Sequence, residues 1–403
     1  MQTPSIVSLK KVPDYGPGRV LDAMRECLEP LGGMAAFVRA GQRVLLKPNL
    51  LGCFPVERAV TTHPAVVRAA ILLVQEAGGI PLIGDSPGMG DFSRALNVCG
   101  LAPVLAETGA KVLDFSQPCE YEAPENQIAR RIQLAQALSQ VDVVISLPKL
   151  KTHAQMTFTG ALKNQFGLVP GTLKGQWHFR LQETAWLASL ILDINRIARP
   201  TLAIMDAVIG MEGQGPSAGK PRFIGAMLAS SDLAALDTLA CHLIGLNPMR
   251  VPLLAAAREQ KFGETELEKI CVTGDDWREC RAPDFEKVLA AAGVLNVAPL
   301  PKPALQWIRR QWTARPRIIE SLCTKCGICE KGCPLTPAAI HPAAAAGQQI
   351  DNARCIRCYC CHEFCPSHAI ELRRPWLARH LPLTPIAETV SRWMSNLSRA
   401  NKN

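Results

Sequence analysis

The chain has 403 residues, 48% hydrophobic and 20% charged, which is too long for one ordinary domain and too apolar for a disordered protein. Its formal net charge of +9 is uneven: residues 1–301 carry 29 Lys or Arg against 29 Asp or Glu, and residues 302–403 carry 15 against 6. No basic-then-apolar leader opens the sequence, no apolar run reaches the length of a membrane span and no nucleic-acid-binding motif accompanies the basic charge, so a cytoplasmic chain with no transmembrane segment and no nucleic-acid partner is expected.

Short β-branched runs alternate with helical patterns through residues 1–296, which predicts an α/β domain with a mostly parallel sheet and flanking helices. Ile6 to Leu9 predicts a strand and Val20 to Leu31 a helix. Arg43 to Leu46 predicts a second strand, ended by Pro48, so that Lys47 and Asn49 stand at its carboxyl end. Thr61-Thr62-His63-Pro64 offers a hydroxyl cap and a proline to a helix over 65–77, and His63 reads as a turn residue. Ile80 to Ile83 predicts a strand that runs into Gly84-Asp85-Ser86-Pro87-Gly88.

Lys111 to Phe115 predicts a short strand, Ile128 to Leu138 a helix, and Val141 to Leu147 a buried strand. In Pro148-Lys149-Leu150-Lys151-Thr152-His153 an extended chain puts Lys149, Lys151 and His153 on one face. Lys163 and Asn164 follow beside glycines. Glu183 to Ala198 predicts a helix, Thr201 to Met205 a strand ending in a polar loop from Asp206 through Glu212 to Gly219, and Phe223 to Ala229 another strand. A last helix, 233–244, is capped by Asp232 and contains Asp237.

Ligands of open parallel sheets bind outside the carboxyl ends of the strands, so these polar turns are expected to share a crevice. Lys47, Lys149, Lys151 and Lys163 among loop glycines favour a small anionic ligand or an anionic organic cofactor. Asn49, Ser86, Asn164, Asp206 and Glu212 complete the candidate ligand-binding set, and Asp85, Lys149 and His153 are the candidate catalytic residues. Asp85, Asp206 and Glu212 have three open roles: balancing the lysines, ligating a divalent ion or moving protons. His153 suits a ligand contact or a satisfied structural histidine equally well.

A Pro- and Trp-containing linker (297–318) leads to a cysteine-dense segment (319–372) that holds nine of the sixteen cysteines. Cys323-x2-Cys326-x2-Cys329-x3-Cys333-Pro334 and Cys355-x2-Cys358-x2-Cys361-x3-Cys365-Pro366 both have the spacing of a ferredoxin with two [4Fe-4S] clusters, in which the fourth cysteine of each run serves the other cluster. One cluster therefore takes Cys323, Cys326, Cys329 and Cys365, and the other Cys355, Cys358, Cys361 and Cys333; Cys360 is surplus. Structural zinc is the weaker reading, because four cysteines are packed into eleven residues twice over. The other seven cysteines stand singly and read as free thiols of a reducing compartment.

Two oxidised cubes with their thiolates bring about −4, which offsets part of the basic charge beside them. The rest suits an acidic redox partner protein. Residues 373–403 form a basic tail in which Ile386, Val390, Trp393 and Leu397 recur at helical spacing. Packing of that stripe on the protein is favoured over contact with a membrane surface.

Lys47-Pro48-Asn49, Gly84 to Gly88, Leu147 to His153, Leu162-Lys163-Asn164 and Asp206 through Gly219 form an ordered series similar to the motif set of the iron-sulfur proteins of domain of unknown function family 362, over about residues 5–295. The resemblance implies four-iron clusters, often on the same double-cluster module, and a redox role. It supplies neither a substrate nor a catalytic residue. Three functions are consistent with the sequence: an oxidoreductase relaying electrons through two [4Fe-4S] clusters to an anionic ligand in the crevice, a non-catalytic electron carrier or assembly subunit that docks a redox partner, and a non-redox ligand-binding enzyme with structural clusters.

Overall fold

The computed structural model describes residues 4–88, 91–123, 128–171, 173–288, 313–345 and 347–376. The chain divides into two compact units, Met1–Val288 and Leu289–Asn403.

The strands of the first unit are β1 (Ser5–Lys11), β2 (Arg43–Pro48), β3 (Ile80–Ile83), β4 (Lys111–Val112), β5 (Pro118–Glu122), β6 (Arg131–Ala135), β7 (Val143–Leu147), β8 (Lys149–His153), β9 (Thr157–Thr159), β10 (Leu202–Glu212), β11 (Lys220–Ser230) and β12 (Ile270–Gly274). Its main sheet runs β12-β1-β11-β10-β7-β2-β3-β4, with β8 pairing to β10 and to β9. Along that path every pair is parallel except the two made by β11, the reversed strand, so the sheet is mostly parallel. Val44, Leu45 and Leu46 of β2 are all fully buried, as expected for a strand covered on both faces.

Helices α1 (Pro17–Leu28) and α2 (Pro64–Glu76) share one apolar cluster with alternate residues of the central strands, among them Val44, Leu46, Ile145 and Ile204. α3 (Phe92–Val98) and α4 (Leu101–Thr108) extend that layer at the β3 side. α5 (Ala161–Asn164) packs on β7, α6 (Leu173–Arg180) follows it, and α7 (Thr184–Ala198), α8 (Leu233–Leu243) and α9 (Pro252–Glu259) pack on one another, α8 also against β1, β10 and β11.

Two local expectations fail. The helix expected over 128–138 is the strand β6 followed by a 3-10 turn, and β6 forms a separate antiparallel hairpin with β5. Ile132 and Leu134 are buried while Arg131 and Gln133 are exposed, a period of two that the following Ala135, Ala137 and Leu138 disguise. The loop expected from Asp206 is also strand as far as Glu212, because the antiparallel return of β11 extends β10 beyond its parallel neighbour β7.

In the second unit β13 (Arg315–Ile318) pairs antiparallel with β14 (Ile370–Arg373), bringing the two ends of the described segment together. Between them lie two single-turn helices, Ile328–Lys331 and Cys360–Phe364, and a bridge between Ile340 and Ile350. Most of the expected linker, with Trp307 and Trp312, and the amphipathic stripe from Ile386 to Leu397 lie outside the described residues. No helix among the described residues is long and apolar enough to cross a membrane.

The first unit is tied across its helices by Asp237. This fully buried carboxyl on α8 accepts the first backbone N–H groups of α5, Ala161 at 2.6 Å and Leu162 at 3.0 Å. Gly160 is required there, since a Cβ would lie 2.0 Å from Asp237 Oδ1. Burial pushes the Asp237 carboxyl up to about 7, against the opposing effect of the two N–H groups. An acid whose folded pKa is raised favours the fold fully at low pH, and that contribution is lost as pH rises from the unfolded carboxyl range towards 7. Between about pH 5 and 7 the wild type should therefore lose about 2 kcal/mol relative to Asp237→Asn in urea unfolding. A pH-independent difference would contradict this assignment.

Candidate functional site

Pro148 creates the local geometry of the α/β site. It has no N–H and interrupts the strand between β7 and β8, while its carbonyl accepts the Asp206 N–H at 2.9 Å. β10 thus pairs first with β7 and then with β8, in the register Asp206 to Lys149. Lys149 Nζ lies 2.8 Å from Asp206 Oδ2, with both side chains buried.

Tyr15, in the turn after β1, closes a triad by donating to Asp206 Oδ1 at 2.7 Å and accepting from Lys149 Nζ at 2.9 Å. Its ring stacks on His63 at 3.5 Å between centroids and 4° between planes, and the His63 N–H donates to Asp206 Oδ2 at 2.9 Å. His63 Nδ1 accepts the Ala65 N–H at the start of α2, so its turn reading holds and the proton of the neutral ring sits on Nε2. Burial lowers the His63 imidazole to about 4 and pushes the Tyr15 phenol up, the latter with help from Asp206. Burial also pushes the Lys149 ammonium below the lysine range, opposed by Asp206.

A second pair lies at the ends of β2 and β3. Lys47 Nζ donates to Asp85 Oδ1 at 2.7 Å, and the carboxylate also accepts from Leu50 N at 2.7 Å and Ser86 N at 2.9 Å. A Cβ at Gly167 would lie 2.0 Å from Asp85 Oδ1 and 2.5 Å from Lys47 Nζ, so only glycine fits against this pair. Asn49 accepts from Lys151 Nζ at 2.9 Å and donates to Asn164 Oδ1 at 3.3 Å, while Asn164 Nδ2 donates to the Lys47 carbonyl and Ser146 Oγ, both at 3.0 Å. The Ser86 hydroxyl accepts the Gly171 N–H, and its carbonyl accepts from Lys174.

Lys47, Asn49, Asp85, Ser86, Lys151 and Asn164 thus form one network, with Lys149 and Asp206 in the adjacent triad. Lys163 lies 5.4 Å over the Phe166 ring. Two expected site residues lie away from these pairs. His153 Nδ1 accepts the Gln155 and Met156 N–H groups and shapes the turn after β8, and Glu212 accepts the Glu286 N–H at the far end of β10. Of the roles open to Asp85 and Asp206, the geometry displays charge balance. Tyr15 was missed in the sequence, where an isolated Asp-Tyr-Gly-Pro turn was its only signal.

The cysteines of the second unit surround two cavities. The first is lined by Cys323, Cys326, Cys329 and Cys365. The second is lined by Cys333, Cys355, Cys358 and Cys361. Cys360 is buried but lines neither.

The two loops bend alike. Lys325 and Gly327 in one run, and Arg357 and Tyr359 in the other, all have positive φ, between 54° and 75°. Backbone N–H groups of Lys325, Ala339 and Ala369 point at the sulfurs of Cys323, Cys333 and Cys365 at 3.2–3.4 Å. Among the described residues no three His, Cys, Asp or Glu side chains are arranged to hold a metal ion.

A model of "Domain of unknown function (DUF362)" matches residues 44–242. A thylakoid-associated protein of Synechocystis sp. is 39% identical over 263 residues, covering 65% of this chain and 81% of that protein. The chain belongs to the DUF362 family. The DUF362 match runs from β2 into α8 and contains both lysine pairs but neither Tyr15 nor the nine clustered cysteines. Among solved structures, the lactate racemase apoprotein of Thermoanaerobacterium thermosaccharolyticum superposes with a TM-score of 0.39 at 11% identity over 61% of this chain and 59% of its own. A Thermotoga maritima protein gives 0.36 at 13% identity over 58% and 60%. The chain spans about three fifths of the length of each of these two structures.

Removing one member of a buried ion pair leaves the other charge uncompensated, at a cost of about 3–5 kcal/mol. Lys149→Ala should therefore destabilise the protein by that amount in urea unfolding. Lys149→Met combined with Asp206→Asn should cost about 2 kcal/mol less than the two single changes summed. Additive losses would show that the two groups are not coupled.

Proposed function

We propose that this DUF362 protein is an iron-sulfur electron-transfer protein whose ferredoxin-like C-terminal unit carries two [4Fe-4S] clusters. Cys323, Cys326, Cys329 and Cys365 hold one, and Cys355, Cys358, Cys361 and Cys333 hold the other. The observation that carries this reading is the lining of the two cavities, each by three cysteines of one run and the fourth of the other. That is the crossing which the repeated spacing implies. A single zinc ion fits less well, because four cysteines are packed into eleven residues twice over.

When bound, the clusters supply one-electron redox chemistry. The chain's own contribution is to hold the thiolates and favour their charge: the amides of Lys325, Ala339 and Ala369 donate to sulfur. Residues 313–376 contain eight Lys or Arg and five Asp or Glu, so about −4 from two oxidised cubes brings the segment close to neutrality. All sixteen cysteines are free, which supports a reducing compartment.

Of the readings open to the sequence, transfer to a protein partner has more support than reduction of an anion held by four lysines. Lys47 and Lys149 are already matched by Asp85 and Asp206, and Lys151 by Asn49 and the Val60 carbonyl. The α/β unit then serves docking or assembly.

Anaerobically purified protein should contain about eight iron and eight sulfide per chain. Two double variants test the crossing. Cys333→Ala with Cys358→Ala removes two ligands of one cluster and should leave about four iron, whereas Cys333→Ala with Cys326→Ala should leave almost none. The reverse pattern would contradict the ligand sets, and zinc in place of iron would contradict the function.

A further inference from the structure

The β13–β14 ribbon has two chemically distinct faces. Pro316 opposite Leu372 and Ile318 opposite Ile370 form the inner face: Pro316 lines the cavity of Cys333, and Ile318 and Ile370 line that of Cys323. The alternate positions, Arg315 opposite Arg373 and Arg317 opposite Glu371, form the outer face. One thickness of ribbon thus separates four charged side chains from both cysteine cavities.

That outer face is strongly basic. Arg317 and Arg373 are exposed and Arg315 is half-buried, so three arginines stand against Glu371. Glu371 answers Arg317 loosely, at 3.8 Å. Like charges directly opposite in an antiparallel pair are unfavourable, and Arg315 faces Arg373. Arg315 Nε is moreover buried without a hydrogen-bond partner. The ribbon is pinned at its start, where Tyr359 Oη donates to the Ala314 carbonyl at 3.0 Å. Tyr359 itself lines the second cavity.

We propose that this face docks an acidic one-electron carrier protein. Carboxylates on the partner would relieve the Arg315–Arg373 opposition, and the docked carrier would lie over the ribbon that covers both cysteine cavities. In the transfer one electron leaves the reduced carrier, which is oxidised by one unit, and enters the cysteine unit, which is reduced by one; no covalent bond changes. The proposal rests on the iron-sulfur reading, but it fails separately from that reading.

The test uses full-length, cluster-loaded protein, reduced flavodoxin as the acidic carrier and a small neutral photoreductant as a reference. Arg317→Glu with Arg373→Glu should slow bimolecular reduction by flavodoxin about tenfold or more at low ionic strength. The difference should shrink as salt is raised, while reduction by the photoreductant and the iron content remain those of the wild type. Equal flavodoxin rates in both proteins, or no reduction of the wild type by flavodoxin, overturn the proposal. A variant that keeps its flavodoxin rate but no longer sediments with phosphatidylglycerol vesicles also overturns it, by making the face a lipid contact. Wild-type protein without iron defeats the underlying reading instead.

Discussion

Residues 313–376 bend around two cavities lined by thiols, with little apolar packing of their own. Its buried cluster consists of Ile318, Ile340, Ala369 and Ile370 with two of the cysteines themselves, far less apolar packing than an independent domain needs. A unit of this size requires an internal staple. With the fourth cysteine of each run lining the other run's cavity, the proposed clusters would join the two repeats into one body. The repeated left-handed positions, Lys325 with Gly327 and Arg357 with Tyr359, express the same constraint in the backbone.

The α/β unit solves a different problem, the burial of lysine. A buried ammonium is tolerated only with a carboxylate and further hydrogen bonds around it. Asp206 receives Lys149, Tyr15 and the His63 N–H, and Asp85 receives Lys47 with two backbone N–H groups. Each carboxylate therefore joins several chain segments: Asp206 links β8, β10 and the turns before α1 and α2, and Asp85 links the ends of β2 and β3. The polar strand ends that resemble an anion site also fix these loops. Tyr15, Asn49 and His63 are the half-buried edge of that network, where it reaches the surface.

The parallel core was legible because its strands are short β-branched runs that local composition alone identifies. The cysteines that line each cavity are three of one run and the fourth of the other, the grouping that the spacing implies. What could not be read was non-local. β6 resembled a helix because only its antiparallel partner β5 fixes the period of two. Asp206 was expected in a loop because the return of β11, which lengthens β10, leaves no local mark. The four lysines were recognised as one group and charge balance was one of three roles open to Asp85 and Asp206; which carboxylate meets which lysine depends on non-local placement, such as the register between β8 and β10 that pairs Lys149 with Asp206. Asp232 behaved as read, capping α8 through the Ala234 and Ala235 N–H groups.

The most direct measurement of the central claim is anomalous diffraction at the iron edge from crystals of the anaerobically purified protein. Two separate iron peaks are predicted, one enclosed by Cys323, Cys326, Cys329 and Cys365, the other by Cys355, Cys358, Cys361 and Cys333. A single iron site, a site bounded by the four cysteines of one run, or a signal at the zinc edge only would contradict the account.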